Sequence, residues 1–288
     1  MRKYSWRTLL PKRREPWRRQ HLKKMFACRT RIGLDLGGLR VSLSPLWFSM
    51  FAFLETSVQS GMRASESVVQ DKGEWHPADH ISRASLLWNI GGKLHEVPTA
   101  DQMRALTEAD YAILLPPPSK TDSFGVIWGD KPIYLPVRFS APWCAALRFR
   151  DLELNVPCGT LEERAQLPLY VDDDGSPLTY ATANKILSAM KDLVMVDGED
   201  KSLFTFHSFR VTLATQLGNA GARDPLIQAM CRWQTKASLR IYNRMQPEQA
   251  CGLLDKATTA KITGYTAANL PTISTTDVVA GIRAFDQR

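Results

Sequence analysis

The stretch from Val41 to Leu54 is the most hydrophobic in the chain, about 14 residues interrupted by serines and by Pro45. A helix that crosses a bilayer needs roughly 20 apolar residues, so this stretch is too short and too broken to span a membrane. It reads instead as a buried core helix that ends at Gly61, a residue suited to stopping a helix. With 288 residues, 44% of them apolar, the chain can build one large domain or two small ones around such a core.

Punctuation along the chain predicts the order of elements. Lys12-Arg13-Arg14-Glu15-Pro16-Trp17 leads into a short helical pattern over Gln20 to Phe26, and a loop carrying Gly33, Gly37 and Gly38 separates it from the apolar helix. Residues 67–108 are mixed and show no clear period. Asp110 to Leu115 reads as a strand stopped by Pro116, Pro117 and Pro118, with Phe124 to Trp128 as its returning partner; Lys120 then sits on the connection of a hairpin. A further strand pair is expected around Ile133 to Val137. Thr179 N-caps a helix running to about Val194, with Ile186, Leu187, Met190, Leu193 and Val194 on its buried face. His207 to Asn219 is helical and stopped by Gly221, and Asp224-Pro225 opens another helix, Asp as N-cap and Pro in the first helical position. A last amphipathic pattern carries Leu239, Ile241 and Tyr242. The acidic runs Leu161-Glu162-Glu163 and Asp172-Asp173-Asp174 stand in loop-like contexts and read as solvated. The order is helices, a small antiparallel sheet, then helices: an α+β fold, mainly helical.

Charge and cysteine usage narrow the function classes. Net charge is +8 and the sequence pI is about 9.3, a balance that favours a polyanionic partner, nucleic acid before a small metabolite. The five cysteines, Cys28, Cys144, Cys158, Cys231 and Cys251, form no CxxC and have no neighbouring His pair, the pattern of reduced thiols. The start is too polar for a secretory signal. Ten of the first 24 residues are Lys or Arg against the single Glu15, which fits a DNA-contacting arm, a nuclear import signal, an Arg-rich presequence or a solvated tail.

Chemistry concentrates in the last third. His207, Arg210, Trp233 and Tyr242 stand at offsets of 0, 3, 26 and 35 across segments that read as three helices. At ordinary residue frequencies such a set arises on the order of once per million starting positions. Residues three apart on a helix share a face, so His207 and Arg210 project together. A guanidinium gives planar bidentate hydrogen bonds to non-bridging phosphate oxygens, and an imidazole accepts a proton from a hydroxyl. The tyrosine phenol has an ordinary pKa near 10, so nearby cations are needed to favour phenolate. Taken singly, each residue has a bland reading: a helix-start His, a surface Arg, a core Trp, a packed Tyr. The spacing is what outweighs those readings.

Together with Gly61-Met62-Arg63-Ala64-Ser65-Glu66 and the turn Ser119-Lys120-Thr121-Asp122, this set resembles the tyrosine recombinase (phage integrase) family. Pro117-Pro118-Ser119-Lys120-Thr121-Asp122-Ser123-Phe124-Gly125 resembles the hairpin of its eukaryotic transposon-type, crypton-like members. The resemblance runs from about Lys12 to Met245 and implies a tyrosine recombinase catalytic domain with a small antiparallel sheet at one edge. It implies site-specific cutting and rejoining of double-stranded DNA through a 3′-phosphotyrosyl intermediate, without metal, cofactor or ATP. Tyr242 is then the nucleophile, Arg63 and Arg210 the phosphate clamps, His207 a proton acceptor, and Trp233 a phosphate donor that also packs the nucleophile helix. Glu66 supports the architecture and Lys120 is the general acid, with Lys131 its competitor.

Charge marks residues 1–24 as a basic arm, and the resemblance implies a catalytic domain over 25–245 and a tail over 246–288 that docks, as recombinase tails do, on a neighbouring protomer of a tetramer on DNA. Family members carry a helical DNA-clamping domain ahead of the catalytic one, whereas this sequence starts almost at the catalytic domain. That departure motivates a second reading, a domesticated DNA-binding relic with little turnover. A third is a type IB topoisomerase-like enzyme, in which His normally stands where Trp233 does here. The basic start and the transposon-like hairpin suggest residence in a nucleus, with the cytoplasm of a prokaryote as the alternative. No membrane partner is expected.

Overall fold

The structure is a computed structural model that describes residues 14–116 and 132–233. Tyr242, Lys120, Lys131, the strand expected at Phe124 to Trp128, the helical pattern around Leu239 and the tail at 246–288 lie outside those residues.

The apolar stretch forms α2, Pro45–Ser60, after α1, Arg19–Ala27. The helix starts at Pro45 and not at Val41 because proline fits the first helical turn, where its missing N–H is not needed. The N–H of Leu46 donates to Asp173 Oδ1 at 3.0 Å, so one residue of the acidic run read as solvated caps a distant helix. The other two, Asp172 and Asp174, pair with Lys72. Burial runs around most of α2, from Leu46 through Met50, Phe53 and Leu54 to Val58, as expected of a helix apolar on every side. It packs against α4, Ala145–Asn155, and α7, Phe206–Asn219.

Two of the four strands of the sheet come from the segment in which no period was legible. Strands β1, Leu86–Ile90, β2, Lys93–His95, β3, Tyr111–Leu114, and β4, Ile133–Pro136, are antiparallel in the order β2-β1-β3-β4. Ala112 pairs with Trp88 on one side and Leu135 on the other, and all three are buried on one face with Leu86 and Leu114. Both edges of β3 are therefore taken over residues 111–114, and its partner on the later side is β4, not Phe124 to Trp128. Lys120 falls in the segment that joins β3 to β4. A short helix, α3, Ala100–Arg104, precedes β3 with a Thr99 capping box.

Leu161-Glu162-Glu163 is not a loop. It opens α5, Leu161–Gln166, because Thr160 Oγ1 accepts the N–H of Glu163 at 3.1 Å while the Glu163 carboxylate accepts the N–H of Thr160 at 3.2 Å. From α5, the buried Arg164 donates to Glu153 of α4 at 2.9 and 2.8 Å and to the carbonyls of Arg83 and Leu86 at 3.2 and 3.0 Å. One guanidinium thus ties the sheet to the helices. Helix α6, Tyr180–Val194, starts where Thr179 predicted, with Thr179 Oγ1 accepting the Thr182 N–H at 3.2 Å. Val194, not Leu193, closes its buried stripe; a step of one residue turns a helix by about 100°, and Leu193 is 43% exposed. Helix α8, Asp224–Met230, has Arg223 at the cap and Asp224 already in its first turn, one residue from the expected arrangement.

The segment expected as a free basic arm is, over residues 14–24, built into the core. Trp17, His21 and Leu22 are all buried. The Trp17 ring packs against Phe204 and Phe209 with centroids 5.0 and 5.4 Å away, and its backbone N–H donates to Thr212 Oγ1 at 2.7 Å. Burying the large indole does not cost the segment its solvated charges, because Arg14, Arg18, Arg19, Lys23 and Lys24 stay exposed around it. Among the described residues no helix is long and apolar enough to cross a membrane.

Candidate active site

Three separate parts of the chain meet at the end of α2. Gly61 ends that helix in the left-handed conformation, φ +61°. The chain then turns through Met62 into a short helical turn, Ala64–Glu66, capped by Arg63. The Glu66 carboxylate accepts from the Arg63 backbone N–H and from Arg63 Nη1, both at 2.9 Å, and from Arg232 Nη1 at 3.3 Å. Glu66 is buried while the Arg63 side chain is about one-third exposed, so the carboxylate holds the guanidinium from behind and leaves it facing solvent. Glu66 thus joins Arg63 to a second arginine, Arg232.

Arg210 comes from α7 and is 3% exposed. Its Nη2 donates to the carbonyls of Cys231 and Arg232 at 2.6 and 3.2 Å, which pins the guanidinium to the end of α8. Trp233 lies beside it, with the guanidinium carbon 5.9 Å from the ring centroid, a cation–π arrangement. Trp233 is buried with Leu213, Ile227 and Cys231 in a small cluster behind α7. What the structure places on its ring is thus the side chain of Arg210.

His207, one turn before Arg210, shares an open cleft of about 470 Å³ with Arg63, Arg210 and Arg14. Burial first, and then the positive charges of Arg210, Arg63 and Arg14, hold its pKa below the ordinary value of 6.5. The imidazole is therefore neutral at pH 7 and able to accept a proton. Arg210 is brought down to about 10, by burial first and next by the charge of Arg63, with Glu66 pulling the other way; it remains a cation at neutral pH. The buried Cys231 thiol is pushed up to about 12. Among the described residues no group of three or more His, Cys, Asp or Glu is arranged to hold a metal ion.

Of the expected site residues, Arg63, Glu66, His207, Arg210 and Trp233 converge here, and Lys120 and Tyr242 lie outside the described residues. Two participants carried no sequence signal. Arg232 is the one non-glycine described residue with positive φ, 53°, and it joins Glu66 through its side chain and Arg210 through its carbonyl. Arg14 enters the cleft from the N-terminal segment, where the buried Trp17 three residues on is the nearest hint. An open cleft lined by three guanidiniums and a neutral imidazole suits a phosphodiester, since guanidiniums bond non-bridging oxygens and an imidazole can take a proton.

Residues 157–249 match the phage integrase family. The structure is similar to that of XerA recombinase, with a TM-score of 0.50 at 11% identity over 86% of this chain and 66% of that one. It also aligns with the XerH site-specific recombinase bound to palindromic difH substrate in a post-cleavage complex, with a TM-score of 0.49 at 16% identity over 87% of this chain and 53% of that one. The chain spans less than two thirds of either protein. No curated protein matches its sequence.

Proposed function

We propose, from the match of residues 157–249 to the phage integrase family and from a fold similar to that of XerA recombinase, that this chain cuts and rejoins DNA strands through a phosphotyrosyl link. Tyr242 is the nucleophile. Its phenol gives a proton to the neutral His207 and its oxygen attacks the phosphorus in line; the O–P bond forms as the bond to the 5′ oxygen breaks, and Lys120 protonates the leaving oxygen. A DNA 5′-hydroxyl then attacks the phosphotyrosine, restoring the phosphodiester and freeing the tyrosine. The phosphate bond energy is kept in the link, so no ATP is consumed. Arg63 and Arg210 bind the non-bridging oxygens where negative charge develops, and one such preorganised donor typically contributes about 2.7–4 kcal/mol. Trp233 holds Arg210 in place.

The observation that carries this reading is the convergence of Arg63, His207 and Arg210 on one cleft, with Glu66 and the carbonyls of Cys231 and Arg232 just after α8 fixing the two guanidiniums from behind. The partner is double-stranded DNA, consistent with the net charge of +8, and the working form is a homo-oligomer on that DNA. The test is incubation of the full chain with nicked duplexes of randomised sequence, followed by denaturing gels. A covalent protein–DNA adduct should form and should vanish in Tyr242→Phe. An adduct that survives in Tyr242→Phe refutes the assignment of the nucleophile. Salt-sensitive DNA binding with no adduct on any duplex moves the reading to a non-catalytic DNA-binding protein.

A further inference from the structure

Arg14 has no place in the expected catalytic set, yet it lines the same cleft as Arg63, His207 and Arg210. Its position is built, not accidental. The Glu15 backbone N–H donates to the carbonyl of Leu203 at 3.1 Å, and Arg14 Nη1 donates to the carbonyl of Ser202. Three residues on, Trp17 is buried against Phe204 and Phe209 and hydrogen-bonded to Thr212. Phe209 and Thr212 belong to α7, the helix that presents His207 and Arg210 from its other side. One helix therefore carries two of the site's residues and anchors the segment that brings a further guanidinium to them. The charge is felt there: Arg14 is among the cations that hold the His207 pKa down.

Among the described residues lining the cleft, three are arginines and none is a carboxylate. Two guanidiniums already serve a single phosphate under the proposed function. The next anion along a DNA strand is the adjoining phosphate, and a guanidinium suits it because its planar fork bonds phosphate oxygens in pairs.

We propose that Arg14, presented by the Trp17-anchored segment, contacts the DNA backbone phosphate adjoining the one held by Arg63 and Arg210. This rests on the proposed function, since it takes the cleft to be filled by DNA. The contact is to the backbone and carries no base preference, so it positions the duplex without reading it.

The test is equilibrium binding of the full chain to a mixed-sequence duplex over about 50–200 mM salt, with wild type, Arg14→Gln, Arg14→Lys and Arg63→Gln compared. Loss of one phosphate contact should lower the slope of log affinity against log salt by about 1, equally for unrelated duplex sequences. Arg14→Gln should show that loss and Arg14→Lys, which keeps the charge, should restore most of it. Thermal melting of each variant separates a lost contact from a lost fold, and Arg14→Met, which removes the charge but keeps an unbranched stem, serves with the same expected loss of slope where Arg14→Gln melts early. A slope unchanged in Arg14→Gln but lowered in Arg63→Gln overturns the role of Arg14 and leaves the proposed function standing. Wild-type protein with no salt-sensitive binding to any duplex overturns both, and the two failures are told apart by that wild-type measurement.

Discussion

Replacing Gly61 with alanine tests how tightly the end of α2 is held against α7. Gly61 adopts φ +61°, and a β-carbon built there would stand 3.1 Å from Leu213 Cδ2, 3.7 Å from Arg210 Cγ and 3.8 Å from Cys231 Cα. Two penalties follow. The left-handed conformation costs an L-residue roughly 1–2 kcal/mol. The 3.1 Å approach is also closer than the usual carbon–carbon contact of about 3.5–4.0 Å. Leu213 is itself buried and packed with Ile227, Cys231 and Trp233, so it cannot yield without disturbing them. Overfilling of this kind costs about 1–3 kcal/mol, for a sum of roughly 2–5 kcal/mol. Gly33→Ala is the matched control, because Gly33 has φ +84° with no atom within 4 Å of the added carbon and incurs only the first penalty. Urea unfolding followed by far-UV circular dichroism should place Gly61→Ala at least about 1 kcal/mol below Gly33→Ala, with unchanged m-values. Equal losses in the two variants would show that the crowding is absent. A loss below about 0.5 kcal/mol in Gly61→Ala would refute the conformational argument as well.

Three further outcomes are expected. Trp17→Ala should cost about 3–5 kcal/mol in chemical unfolding, the usual penalty for deleting a buried aromatic, because the ring sits against both Phe204 and Phe209. Glu66→Ala removes the carboxylate from two guanidiniums; breaking a buried ion pair costs about 3–5 kcal/mol, and the partial exposure of Arg63 puts the expected loss at the lower end. Glu66→Gln keeps an acceptor and should lose less, and adduct yield should fall in both. Stability should also depend on pH. His21 and His207 both have folded pKa values lowered by burial below 6.5. The unfolded chain then binds more protons as pH falls through 6.5, so their contribution is full above about pH 7 and is lost towards pH 5. Urea midpoints measured from pH 7 to 5 should fall, and the double variant His21→Gln, His207→Gln should flatten that slope; a flat wild-type profile would contradict the assigned directions.

What could be read without coordinates was set by local chemistry. Gly61 stops the central helix, Thr179 caps α6, and the sequence around His207 marks the start of α7, because caps, stops and period depend on residues within a few positions of one another. The pairing of Arg63 with Glu66 across one turn is of the same kind. Residues 67–108 gave no period because β1 and β2 are short and only part-covered, so their alternation shows once β3 and β4 lie beside them.

Tertiary structure alone decided the rest. Nothing next to Arg14 in sequence says that it lines the same cleft as His207; that follows from Trp17 filling a space against Phe204 and Phe209. Nothing near Arg232 says that it takes a left-handed conformation, or that its carbonyl and side chain tie Arg210 to Glu66. Such contacts join residues far apart along the chain. Their free energy is gained only after the intervening segments have folded, so the local sequence encodes the parts of the site and the packed core encodes their arrangement.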